Sequence, residues 1–255
     1  MLEAIILGIV QGITEFLPVS STAHLILLPW FFNWNSEVDT LTFDIALHAG
    51  TLFALLCCFW KDWMDLVLRK QRLFGVIFMA SVPAGIAGLF FNDMIETSLR
   101  SPVIISAMLV VIGVIMLISE KAYRYKTVDE VTFGDALFIG ISQAIAIVPG
   151  VSRSGVTIAA GLFRGLEREA SARFSFLLST PIIAGAVVLH SKKAFDSPEH
   201  YDLKLFAVGL IASFVTGYAA IKFLLSFLRK YPLNVFVYYR FVLAVVIIAG
   251  IWLKE

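Results

Sequence analysis

Long apolar stretches interrupted by a few polar clusters set the pattern of this chain. Residues 41–60, 73–91, 102–118, 174–190, 204–228 and 235–253 are each apolar over close to the roughly 17 to 25 residues needed to cross a bilayer. The pattern predicts six transmembrane helices. The remaining apolar material, 2–17 and 133–148, behaves differently: each run stops at a Pro-Val-Ser or Pro-Gly-Val-Ser break, and a short second apolar piece follows. Broken segments with polar tips read as re-entrant helical hairpins, which survive in lipid only where protein or water surrounds the tip.

Sliding the sequence against itself reveals a repeat at an offset of 132. Ala4/Ala136, Gly8/Gly140, Ile9/Ile141, Gln11/Gln143, Ile13/Ile145, Val19/Val151, Ser20/Ser152 and Ile26/Ile158 are identical pairs, and the register returns from Leu73/Leu205 to Gly85/Gly217. One integral-membrane domain built of two halves, about 1–123 and about 132–255, is expected. Each half holds one hairpin and three spans, and an odd number of crossings inverts the second half relative to the first. The predicted fold is therefore an all-α polytopic membrane protein with an inverted-topology repeat, its two hairpins meeting near the bilayer midplane.

Composition narrows the class. The 255 residues are 59% apolar and 15% charged, with a mean hydropathy of +0.88, which excludes a soluble domain. A net charge of +1 without a basic arm argues against a nucleic-acid partner. The start, Met1-Leu2-Glu3-Ala4, lacks a positive n-region, so a cleaved signal peptide is not expected. Adjacent Cys57 and Cys58 suit neither a disulfide nor a zinc site and read as core or lipid-facing residues. Lys61, Arg69, Lys70, Arg72, Lys121, Arg124, Lys126, Arg164, Arg168, Arg173, Arg229 and Lys230 fall on one side, against Arg100, Lys192, Lys193, Lys204 and Lys254 on the other. The charge bias makes the first side cytoplasmic and turns the termini and the acidic 33–42 loop outward. The first hairpin then enters from outside.

Polar groups inside such runs are costly in lipid, which makes them candidates for function. Gln11 and Glu15 are four residues apart on the first hairpin helix and share a face. They can grip a divalent cation, Mg²⁺ or Ca²⁺, whose shell water and phosphate oxygens complete; the competing reading is a polar pair bonded to a neighbouring helix. Pro18 ends that helix, and Ser20, Ser21 and Thr22 are suited to cap the next, where free N–H groups and the helix dipole form an anion site. The second tip repeats this with Pro149, Gly150, Ser152 and Ser154, and it adds Arg153, whose planar fork suits phosphate. Arg153 salt-bridged to Glu15 for structure alone is the alternative. Ser152, Ser154 and Thr157 are candidate donors to phosphate oxygens, with helix capping an equal role for Ser154. His24, three residues after Ser21, shares its helical face. Asp44 and His48 read as a structural pair, Lys222 as a snorkelling side chain and Arg240 as an inter-helix anchor.

The strings QGITEFLPVSSTAH and PGVSRSG resemble the two signature regions of the bacterial undecaprenyl-diphosphate phosphatase family of the bacitracin-resistance type. The resemblance extends to Phe174-Ser175-Phe176-Leu177-Leu178 and Tyr239-Arg240-Phe241. It implies an integral enzyme of the bacterial cytoplasmic membrane that removes the terminal phosphate of a C55 prenyl diphosphate and requires a divalent cation. Gln11 stands at the variable first position of the family's acidic motif, which leaves Glu15 as the firmer metal ligand. Ser21 with His24 as its base is the favoured nucleophile, beside direct attack by His24 or water activated by it. The rival reading is a lipid-phosphate or anion carrier, which uses the same architecture without a nucleophile. The oligomeric state is open, with a homodimer one option.

Overall fold

The computed structural model describes residues 1–32, 34, 40–195 and 202–254. Among them are ten α-helices: α1 (Leu2–Phe16), α2 (Ser21–Phe32), α3 (Leu41–Leu68), α4 (Gln71–Ser98), α5 (Pro102–Ser119), α6 (Phe133–Ile145), α7 (Arg153–Phe163), α8 (Arg168–Phe195), α9 (Leu203–Leu228) and α10 (Asn234–Lys254). Six of them, α3, α4, α5, α8, α9 and α10, are long and apolar enough to cross a membrane. These are the six expected spans, and three of them, α3, α4 and α8, run well beyond the apolar pattern, α4 as far as Ser98. α3 continues from Phe59, where its backbone leaves helical angles, through Lys61, Asp62 and Asp65 to Leu68. α8 begins at Arg168, six residues before the apolar run. Polar turns are as helical as apolar ones, so hydropathy marks where a membrane begins and not where a helix does.

The short helices occur in two pairs, each interrupted at its proline. α1 stops before Pro18, and α2 restarts at Ser21; α6 stops at Ile145, and α7 restarts at Arg153 beyond Pro149 and Gly150. At about 1.5 Å per residue none of the four reaches across a hydrocarbon core. Each pair is instead clasped by long helices. A Cβ added to Gly8 of α1 would lie 2.7 Å from the Gly209 carbonyl oxygen of α9, and one added to Gly140 of α6 would lie 2.1 Å from that of Ala80 in α4. Only glycine permits backbones this close. Below the breaks, Phe16, Phe59, Phe174 and Phe176 are fully buried, with the Phe16 and Phe176 rings edge to face at 5.4 Å.

At one end of the bundle the helix termini are tied by ion pairs. Glu120, just past α5, receives Arg124 and Arg168 at 2.7 Å each and the Leu233 N–H at 2.8 Å. Asp135 receives Lys126 and Arg164, and Arg229 pairs with Glu169. Arg124, Lys126, Arg164, Arg168 and Arg229, from the set that the charge bias gathered onto one side, share that end. The acidic 33–42 loop lies largely outside the described residues.

Candidate active site

Both helix breaks turn on a serine with an uncommon backbone. Ser20 has φ 78° and Ser152 has φ 70°, values that cost a non-glycine residue of order 1–3 kcal/mol. Each then caps the helix that follows: Ser20 Oγ accepts from Ala23 N–H at 3.4 Å, and Ser152 Oγ accepts from Gly155 N–H at 3.2 Å. In both caps the hydroxyl serves as an acceptor, which leaves its O–H as a donor. The first N–H groups of α2 and α7 remain beside them, at the positive ends of two helix dipoles.

The two tips are in contact. Ser154 Oγ donates to the Leu17 carbonyl at 3.2 Å, and Arg153 pairs directly with Glu15. Arg240 of α10, fully buried, holds them from behind. Its guanidinium donates to the carbonyls of Pro18 in the first break and of Gly150 and Val151 in the second, and to those of Met108 and Leu109 in α5. An arginine spent on five carbonyls is an anchor, as expected of it.

Around this junction Glu15, Ser20, Ser21, Thr22, His48, Gln143, Ser152 and Arg153 line a cleft of about 170 Å³. Glu15, 7% exposed, is the hub: it accepts from Ser21 Oγ at 2.6 Å and from Gln11 Nε2 at 3.1 Å, and His48 Nε2 stands 3.9 Å away. Ser21 and His24 are not paired. The His24 ring lies in another bonded network, with Nδ1 2.7 Å from the Ser20 carbonyl and Nε2 2.7 Å from the Tyr239 hydroxyl. A carbonyl only accepts, so Nδ1 carries a proton, and Nε2 shares a hydrogen bond with the Tyr239 hydroxyl, accepting it when the ring is neutral. Ser154 and Thr157 also turn away from the cleft. Thr157 Oγ1 donates to the Arg153 carbonyl at 2.7 Å and lies 2.6 Å from Ser175 Oγ of α8. For Thr157 the cause is helical direction, because a side chain one turn into α7 faces α8, whereas Ser154 is drawn to the Leu17 carbonyl of the first break.

Two cleft residues were missed as site residues by sequence reasoning. His48 belongs to a long span, where its pairing with Asp44 is through the backbone: Nδ1 bonds the Asp44 carbonyl at 2.8 Å, leaving Nε2 toward Glu15. The repeat register that matches Gln143 to Gln11 was the available signal for Gln143.

Among the described residues no three His, Cys, Asp or Glu side chains converge as a metal cluster. A hard cation needs less, since Mg²⁺ is commonly held by one or two carboxylates with water and phosphate oxygens. Glu15 and the buried, unpartnered Oε1 atoms of Gln11 and Gln143 are oxygen donors of that kind. The residues present fit such an ion.

An acid, a hydroxyl and an arginine held between broken helices inside a six-span bundle define an integral-membrane protein with a buried polar site. The chain belongs to the bacitracin-resistance family, since the family model described as "Bacitracin resistance protein BacA" matches residues 4–246. It is similar to the undecaprenyl-diphosphatase of Thermodesulfovibrio yellowstonii, at 55% identity over 97% of this chain and 96% of that protein. Proteins of the same name match from Moorella thermoacetica, at 47% over 100% and 99%, and from Desulforudis audaxviator, at 46% over 96% and 96%.

Proposed function

We propose that this protein is a membrane phosphatase that hydrolyses undecaprenyl diphosphate to undecaprenyl phosphate and inorganic phosphate, recycling the carrier lipid of cell-wall synthesis. The observation that carries the reading is the junction of the two breaks, where Ser21, Glu15 and Arg153 meet beside two helix N-termini. The anionic headgroup sits in the cleft, and the prenyl chain extends into the surrounding lipid. Arg153 and the first N–H groups of α2 and α7 bind its oxygens and stabilise the charge that grows on them. When bound, a divalent cation held by Glu15, Gln11 and Gln143 neutralises headgroup charge.

Ser21 attacks the terminal phosphorus, and the bond from that phosphorus to the bridging oxygen breaks. Undecaprenyl phosphate leaves, and water then releases phosphate from the serine. Glu15, which already accepts the Ser21 proton at 2.6 Å, is the base that this geometry supplies. His24 acts by holding Ser20, and so the tip, through its Nδ1 bond.

The two-repeat organisation is part of the same proposal. The serines with positive φ are 132 apart, and so are the tight contacts of Gly8 with Ala212 and of Gly140 with Ala80. With the basic end cytoplasmic, the cleft opens to the outer face of the bacterial cytoplasmic membrane. Phosphate release from a prenyl diphosphate in detergent, with and without chelator, tests the reading. Release that needs the cation and is lost in Arg153→Ala and Glu15→Ala is expected; a folded, monodisperse wild type that releases none overturns it.

A further inference from the structure

Gln143 of α6 lines the cleft at 3% exposure, and neither its Nε2 nor its Oε1 has a hydrogen-bond partner within the protein. Buried polar atoms are almost always paired, because an unpaired one forfeits its hydration and gains nothing in exchange. A leucine or methionine would fill the same space without that cost. Nor can α6 shift to find partners, since Gly140, one turn earlier, is closed against the Ala80 carbonyl. The amide is therefore explained by what enters the cleft.

Its two ends define that ligand. Nε2 asks for an acceptor, and Oε1 asks for a donor or a cation. A diphosphate with its cation supplies both at once, an anionic oxygen for the N–H and a metal ion or its water for the carbonyl. Gln11 differs, because its Nε2 is already bonded to Glu15 and only its Oε1 is unpaired. Arg153 and Ser152 line the same cleft from the same hairpin, so an oxygen held by Arg153 comes within the reach of this amide.

We propose that Gln143 is a substrate-binding residue whose Nε2 donates to a diphosphate oxygen while its Oε1 faces the cation or its water. The proposal rests on the phosphatase reading and adds to it a direct contact between the Gln143 amide N–H and the diphosphate.

The test uses the full chain in detergent and farnesyl methylenediphosphonate, a prenyl diphosphate analogue that cannot be hydrolysed. Affinity is measured by calorimetry in Mg²⁺ and in chelator, and melting temperature is measured without ligand. Gln143→Leu is expected to melt at or above the wild-type temperature and to bind at least about tenfold more weakly, the worth of one hydrogen bond to a charged group. Gln143→Glu keeps an oxygen for the cation but loses the donor and adds a charge. It is expected to bind worst in chelator and to regain affinity in Mg²⁺. Wild-type affinity in Gln143→Leu overturns the proposal. So does a Gln143→Leu variant that melts well below wild type or fails to fold, because the amide is then paired structurally. Wild-type protein that binds no analogue in either condition overturns the phosphatase reading itself, a result distinct from unchanged binding in the variant.

Discussion

A single charged side chain in this site cannot be removed in isolation. Glu15 is buried against the partly exposed guanidinium of Arg153, so Arg153→Ala leaves a buried carboxylate uncompensated, at a cost of up to about 3–5 kcal/mol. Lost activity in that variant must be read beside its stability. Arg153→Lys keeps the charge and loses the fork, and it is expected to fold while turning over more slowly by at least an order of magnitude, as phosphate release will measure. The same reasoning separates Arg240 from the chemistry. Arg240→Met strips donors from five carbonyls, each unpaired group costing about 1–3 kcal/mol. A melting temperature lowered by several degrees, with turnover falling along with it, is the expected outcome; full activity with unchanged melting would show that the tips need no clasp. Ser21→Ala, by contrast, should melt normally and release no phosphate.

At the scale of the element, the helices are positioned by close approach and by their ends. Gly140→Ala sets a methyl group against the Ala80 backbone, so α6 must move away from α4 and carry Gln143 and the second tip with it. Weaker analogue binding with a lowered melting temperature is expected. The ends carry a pH dependence. Burial pushes the Glu120 carboxyl up, but hydrogen bonds from Arg168, the Leu233 N–H and Arg124 outweigh it and hold the group below its ordinary range. A carboxylate with a depressed folded value stabilises fully above its unfolded value, near about 4.3, and that contribution is lost as pH falls through the folded value. Glu120→Gln should therefore melt below wild type at pH 7, and thermal melts in acid should show the gap narrowing. A gap that widens on acidification would reverse the sign.

For the whole molecule, the pairing of α1 with α9 and of α6 with α4 means that each short pair leans on a span from the other half of the chain. Both tips then converge on Arg240. The topology is open to a direct measurement: with Cys57 and Cys58 replaced, a cysteine at Asp129, on the end tied by ion pairs, should label only after cells are permeabilised. Labelling in intact cells would invert the orientation and with it the face on which substrate arrives.

The sequence by itself determined the six spans and the two broken pairs, because hydropathy length and proline act locally and leave a local trace; the Glu15–Arg153 pair stood there only as the alternative to two groups sharing a ligand. It also marked Arg240 as an anchor, since a cation in an apolar run must find oxygen partners. Only the tertiary structure decided which way the remaining side chains turn. His24 bonds Tyr239, 215 residues away, and Thr157 lies against Ser175 of α8. His48 and Gln143, from helices with no shared motif, face one cleft. Those directions are set by which helices pack together and at what rotation, a property of contacts between distant segments that no local pattern of residues encodes.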